Sequence, residues 1–224
     1  MSVCYDRPVT VAAVVLAARP DSALADTDGL PAVRRIAEVA WSGGALPIVV
    51  VSFDPDGGVA AALAGTEAQL IAPVAIEAGP VGQICHGIDA AVRLVDDTVA
   101  TLVWPARMAW PDPETITSLI EGHGTDPGSI LRPSYGEAPG WPILLPSASL
   151  EPLRRLGSGR TPDELVDDLV AVGWPLRLVD LGDPGAVHDA TTPRSGLPPY
   201  RGPSEPASGR VHEWGESEAG DPES

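Results

Sequence analysis

The stretch Val9-Thr10-Val11-Ala12-Ala13-Val14-Val15-Leu16-Ala17-Ala18, followed by Arg19-Pro20-Asp21-Ser22-Ala23-Leu24-Ala25-Asp26-Thr27-Asp28-Gly29, limits the possible folds more than any other. An unbroken apolar run ended by a loop rich in Pro and Asp predicts a buried strand that feeds a loop. In an α/β chain the first such loop is where phosphate usually binds. This one is built from proline and carboxylates.

The rest of the chain repeats the same alternation. Pro31 reads as the first residue of a helix whose face is Val33, Ile36, Ala37 and Ala40, closed by Gly43-Gly44. Pro47–Ser52 predicts a second strand, Val59–Ala64 a short helix and Gln69–Val74 a third strand. Gly79-Pro80-Val81-Gly82 opens a helix with Ile84, Ile88, Ala91, Val92 and Val95 on one face. Thr98–Trp104 is the fourth strand, and Asp112 caps a helix through Ile120. Ser129–Pro133 and Trp141–Leu145 predict two further strands, and Ser149–Leu156 and Thr161–Val172 two helices. The second of these opens on the capping box Thr161-Pro162-Asp163-Glu164, and Leu176–Leu181 is the last strand. The implied fold class is α/β, a three-layer α/β/α sandwich with a mostly parallel sheet. Loops after the strands would form the binding edge.

At 224 residues the chain is expected to hold one domain, residues 1–193, and a tail, residues 194–224, rich in Pro, Gly, Ser and Glu and expected to be disordered. Fourteen arginines, no lysine and 31 acidic residues give a net charge of −17, which argues against nucleic acid as a partner. The tail carries three Arg and six acids, so the body alone holds about −14. Cys4 and Cys85 match no metal or redox spacing. No segment reads as a signal peptide or a membrane span, so the expected location is cytoplasmic with no membrane partner.

In order, Val14-Val15-Leu16-Ala17-Ala18, Gly29-Leu30-Pro31, Gly44–Val51, Gly82, Trp104–Glu114 and Asp189-Ala190-Thr191-Thr192-Pro193 resemble the MobA-like NTP transferases, the molybdenum-cofactor nucleotidyltransferase family. That family typically opens Leu-Ala-Ala-Gly-x-Ser-x-Arg-Met-Gly with a Lys three residues on. The resemblance implies a nucleotide-diphospho-sugar transferase-like fold. The implied chemistry has a glycine loop, Arg and Lys holding a triphosphate while aspartates hold Mg²⁺. At the matching positions the family glycine is Arg19, followed by Pro20, which has no amide to donate. The family arginine falls on Ala23, the second glycine on Ala25 and the lysine on Asp28. The metal aspartate after the fourth strand falls on Ala106, an acid of the Asp-x-Asp-Thr-Pro segment on Thr191, and the histidine of Gly-His-Pro on Trp141. Asp21, Asp26 and Asp28 would repel a polyphosphate, by roughly 3 kcal/mol per pair of like charges some 5 Å apart at an effective dielectric near 20.

Ala18, Arg19, Asp21, Ser22, Ala23 and Asp28 are therefore expected to form a degenerate nucleotide loop, with Gly82, Trp104, Ala106, Arg107, Trp141 and Asp189 around the cleft. No catalytic residue, cofactor or metal site is expected, and the protein reads as a pseudoenzyme that binds a small ligand or a protein partner. The alternative is a working nucleotidyltransferase with Asp112 and Asp189 on Mg²⁺ and Arg19 or Arg107 replacing the lysine. A sugar-nucleotide glycosyltransferase ranks last, because the acid pairs Asp96-Asp97 and Asp167-Asp168 fall at helices rather than after the fourth strand. The three aspartates of the loop read either as a metal cluster or as Asx-type turns and caps. Cys85-His86 reads as a core thiol beside a rim imidazole, since adjacent helical residues point about 100° apart. His123, His188 and His212 are isolated, and Trp104, Trp110 and Trp141 read as filling a vacated pocket, as an exposed patch or as plain packing.

Overall fold

The opening apolar run forms β1 (Thr10–Ala17), with Val11 to Val15 inaccessible to solvent. In the computed structural model, which describes residues 10–17 and 20–203, β1 lies in the middle of the main sheet. It is followed by α1 (Pro20–Ala23), the hairpin β2 (Asp26–Thr27) and β3 (Leu30–Pro31), then α2 (Ala32–Ser42) and β4 (Ile48–Ser52). Next come α3 (Gly58–Leu63), β5 (Ala68–Ile71), α4 (Gly79–Leu94), β6 (Thr98–Pro105) and α5 (Pro113–Thr125). The last part contributes β7 (Ile130–Tyr135), β8 (Ala138–Pro139), β9 (Ile143–Pro146), α6 (Leu150–Arg154), α7 (Pro162–Ala171) and β10 (Leu176–Asp180).

The sheet runs β5-β4-β1-β6-β9-β7-β10, with β8 attached to β7. The pairs β4–β5, β1–β4, β1–β6 and β7–β10 are parallel, and β9 runs against both of its neighbours. Helices α4, α6 and α7 pack together on one face, and α2, α3 and α5 on the other. This is the expected three-layer, mostly parallel sandwich. The central strands are apolar along their whole length because both faces of the sheet are covered.

Local chemistry explains most of the boundaries. Asp112 caps α5 by accepting from Glu114 N at 3.0 Å, and Thr161 and Glu164 close the capping box of α7. Gly87 brings α4 onto the sheet, since a Cβ there would lie 2.3 Å from Val14 Cγ1. Pro31 departs from the expected helix start. It pairs with Asp26 in the small hairpin, so α2 begins one residue later. The third strand stops at Ile71, short of Val74, where Pro73 has no amide to give the ladder.

Past residue 193 the described chain stays in contact with the body. A short 3₁₀ turn spans Arg194–Gly196, Tyr200 Oη donates to Glu114 Oε2 at 2.6 Å, and Arg201 lies over the Tyr135 ring with its amide on Gly182 O. Aromatic and backbone contacts thus hold 194–203 to the body although the composition is that of a tail. The remaining expected tail, residues 204–224, lies outside the described residues.

Candidate functional site

The loop after β1 can be followed from Pro20 onward; Ala18 and Arg19 lie outside the described residues. Asp21 is an exposed residue in the first turn of α1, and Ala23 is fully buried beneath it. Asp26 Oδ1 accepts from Gly29 N at 2.9 Å, and Asp28 takes the left-handed conformation at φ 55°, followed by Gly29 at 82°. Asp tolerates that backbone region better than most residues. The acidic run is therefore a turn chemistry that makes the β2–β3 hairpin, as one of the two readings of the loop holds.

Arg35, on α2, fastens this hairpin. Its Nε donates to Thr27 Oγ1 at 2.9 Å and its Nη2 to Thr27 O at 2.6 Å, and its guanidinium lies 5.0 Å from the centre of the Trp110 ring. Burial, and then the charge of Arg194, lower the pKa of Arg35, against the opposing pull of Asp28, Glu38 and Asp26. Trp110 Nε1 in turn donates to Asp189 O at 3.1 Å. Hairpin, α2, the segment after β6 and the segment around 189 are thereby stitched together.

Beyond β6 lies an open cleft of about 480 Å³. Arg107 and Met108 after β6, Arg132 of β7, Pro139 of β8 and Trp141 line it. Asp163 at the start of α7 and Val187, His188, Asp189 and Thr192 complete the rim. Because β9 runs antiparallel to β6, Trp141 enters the sheet next to the end of β6. Arg132 is nine-tenths buried. Its Nε donates to Gly140 O at 3.0 Å, its Nη2 to Asp163 Oδ1 at 2.6 Å, and its guanidinium sits 5.4 Å from the Trp141 ring centre. Arg107 is exposed, contacts Met108 Sδ at 3.5 Å through Nη1, and forms no ion pair with a described carboxylate. His188 Nδ1 donates to Pro184 O at 2.7 Å.

Of the residues expected around the cleft, Arg107, Trp141 and Asp189 line it together. Trp104, Ala106 and Gly82 do not. Trp104 is fully buried with its Nε1 donating to Met108 O at 2.6 Å, so it fills the core and not the site. Ala106 is 1% exposed and donates its amide to Leu16 O at 3.0 Å, tying the end of β6 to β1. Gly82 is a packing glycine on α4, where a Cβ would lie 2.4 Å from Ala78 Cβ. Cys85 is buried, which raises its thiol pKa, while His86 Nε2 donates to Ala72 O, as a core thiol beside a rim imidazole requires. His123 is buried with an unpartnered Nδ1, and burial lowers its pKa. In the sequence Arg132 is not singled out, Asp163 reads only as part of the α7 capping box and His188 as an isolated histidine, yet all three line the cleft. The one available signal was an arginine inside the otherwise apolar strand Ile130-Leu131-Arg132.

The acids nearest the cleft each accept hydrogen bonds from neighbouring groups. Asp112 caps α5, and Asp189 Oδ1 accepts from Thr191 N at 3.0 Å and from Thr191 Oγ1. Asp183 is enclosed, accepting from Asp112 N, Thr115 Oγ1 and Gly185 N at 2.9, 2.7 and 2.8 Å. Among the described residues no three His, Cys, Asp or Glu side chains converge as a metal would need. No helix of the described residues is long and apolar enough to cross a membrane.

This fold, a mostly parallel sheet in a three-layer sandwich with a cleft beyond the end of β6, is that of the α/β nucleotidyltransferases. Among solved structures the chain is similar to a nucleotidyl transferase from Methanothermobacter, at TM-score 0.63 and 18% identity over 75% of this chain and 85% of that one. It is similar to a Mycobacterium tuberculosis protein solved in complex with manganese, at 0.59 and 22% over 77% and 88%. It also matches the 2-C-methyl-D-erythritol 4-phosphate cytidylyltransferase of Thermus thermophilus, at 0.59 and 15% over 80% and 91%. No curated protein matches the chain. Residues 16–172 match the MobA-like NTP transferase domain, and the chain belongs to that family.

Proposed function

We propose that this MobA-like domain has abandoned nucleotidyl transfer and works as a binding subunit, receiving a small ligand or a partner group in the cleft beyond β6. The observation that carries this reading is Ala106. Where the family resemblance sets a metal aspartate, a buried alanine stands, and the neighbouring Asp112 and Asp189 are engaged in a helix cap and a turn. The loop after β1 supports it, because Pro20 has no amide to offer and Asp21, Asp26 and Asp28 repel a polyphosphate. A net charge of −17 makes nucleic acid a poor partner, and the cytoplasm is the proposed place of work.

Titration calorimetry with GTP, CTP and ATP, each with Mg²⁺, tests the reading. The expected result is no saturable heat for any of them. Micromolar binding of one nucleotide would overturn it and restore the alternative of a working transferase with a rearranged site.

A further inference from the structure

We propose that the cleft beyond β6 binds a small monocarboxylate with an apolar body, its carboxylate held by Arg107. This rests on the reading of the domain as a binding subunit and adds the chemistry of the ligand. A volume of about 480 Å³ lies within the range of small-molecule sites. The two arginines of the cleft are not equivalent. Arg132 is spent on Asp163 and Gly140 O and on backing Trp141, whereas the Arg107 guanidinium, among the described residues, contacts Met108 Sδ and no carboxylate, which leaves its edge open for a bidentate partner.

The charges of the walls fix how much negative charge can enter. Arg107 and Arg132 are matched in number by Asp163 and Asp189. Asp163 is already paired with Arg132, and the Asp189 carboxylate is held by Thr191. These four charges sum to zero, so a monocarboxylate adds a single negative charge beside Arg107, whereas a phosphate dianion or a pyrophosphate adds two or more facing the same two aspartates. Half-buried Val187 and the edges of the nearly buried Met108 and Trp141 supply the apolar surface beside the cation, and Arg132 lies 5.4 Å from the centre of the Trp141 ring.

Benzoate and inorganic pyrophosphate are the probes, each added to the ¹⁵N-labelled full chain and to Arg107→Gln, with the Trp141 indole resonance followed. Arg107 is exposed, and an unchanged melting temperature checks that the variant folds. The expected result is saturable millimolar benzoate binding that shifts the Trp141 signal, at least tenfold weaker in Arg107→Gln, with pyrophosphate weaker than benzoate on the native chain. Absence of saturable benzoate binding, equal affinity in Arg107→Gln, or pyrophosphate binding as tightly as benzoate would each overturn the proposal. The two readings fail separately: nucleotide heat in the titration above sinks the loss of transfer chemistry, while the benzoate result alone decides the ligand of the cleft.

Discussion

Asp183 holds the far wall of the cleft in place, and replacing it should show how firmly. Its carboxylate is 2% exposed and faces three donors, Asp112 N at the start of α5, Thr115 Oγ1 one turn into it, and Gly185 N in its own 3₁₀ turn. Asp183→Ala strands the Thr115 hydroxyl and the Gly185 amide away from water, while Asp112 N is only partly buried and can rehydrate. Two buried donors left without partners cost about 1–3 kcal/mol each, and removing a desolvated charge returns part of that, so a net loss of about 2–4 kcal/mol is expected. Asp183→Asn keeps an acceptor and sheds the charge, so its loss should stay below about 1.5 kcal/mol. Equilibrium urea unfolding followed by tryptophan fluorescence measures both. The titration has a definite sign as well. Burial raises the pKa of Asp183 above 3.8, outweighing the three donors. Its contribution to stability is therefore present below the unfolded value and lost as pH rises through the folded one. Asp183→Asn should gain on the native chain across that interval. A loss under about 1 kcal/mol for Asp183→Ala, or equal losses for the two variants, would refute the reasoning.

Two neighbouring changes test the same wall and the hairpin. Gly185→Ala would set a Cβ 2.0 Å from Trp110 O and 2.4 Å from Trp110 C, both backbone atoms that cannot swing away. A loss of about 3 kcal/mol in urea unfolding is expected. Arg35→Gln removes two bonds to Thr27 and the contact with Trp110, with an expected loss of about 2 kcal/mol. Amide exchange should then accelerate within residues 26–31, where the native hairpin is fastened. Unchanged exchange there would show that the hairpin holds without Arg35.

The sheet was legible because its information is local. Runs such as Ile48–Ser52 and Thr98–Pro105 are almost wholly apolar or small, which only a sheet covered on both faces accommodates, and the caps at Asp112 and Thr161 are written in three or four residues each. The cleft was legible only where a motif put a residue beside it, as for Arg107, Trp141 and Asp189. Arg132, Asp163 and His188 come from β7, α7 and the segment after β10, and no sequence spacing reveals that antiparallel β9 sits between β6 and β7 and so brings them to one cleft. Trp104 misled for the opposite reason. Its position next to Ala106 suggests the site, but strand alternation turns its ring into the core, where Met108 O satisfies the indole.

The proposed loss of transfer chemistry turns on how the two sides of the site differ. On the β1 side, Asp26 serves the turn of the hairpin, and Arg35 is used on Thr27 and Trp110. The β6 side has kept an open concavity and one arginine without an ion partner among the described residues. A transferase needs both at once, because the acceptor in one must reach the activated phosphorus in the other. A binding protein needs only the second. Arg35 bridging the hairpin to Trp110, and Trp110 bridging to the Asp189 backbone, make the first half a rigid support for the second, so loosening the hairpin should weaken whatever the cleft holds without touching a single cleft residue.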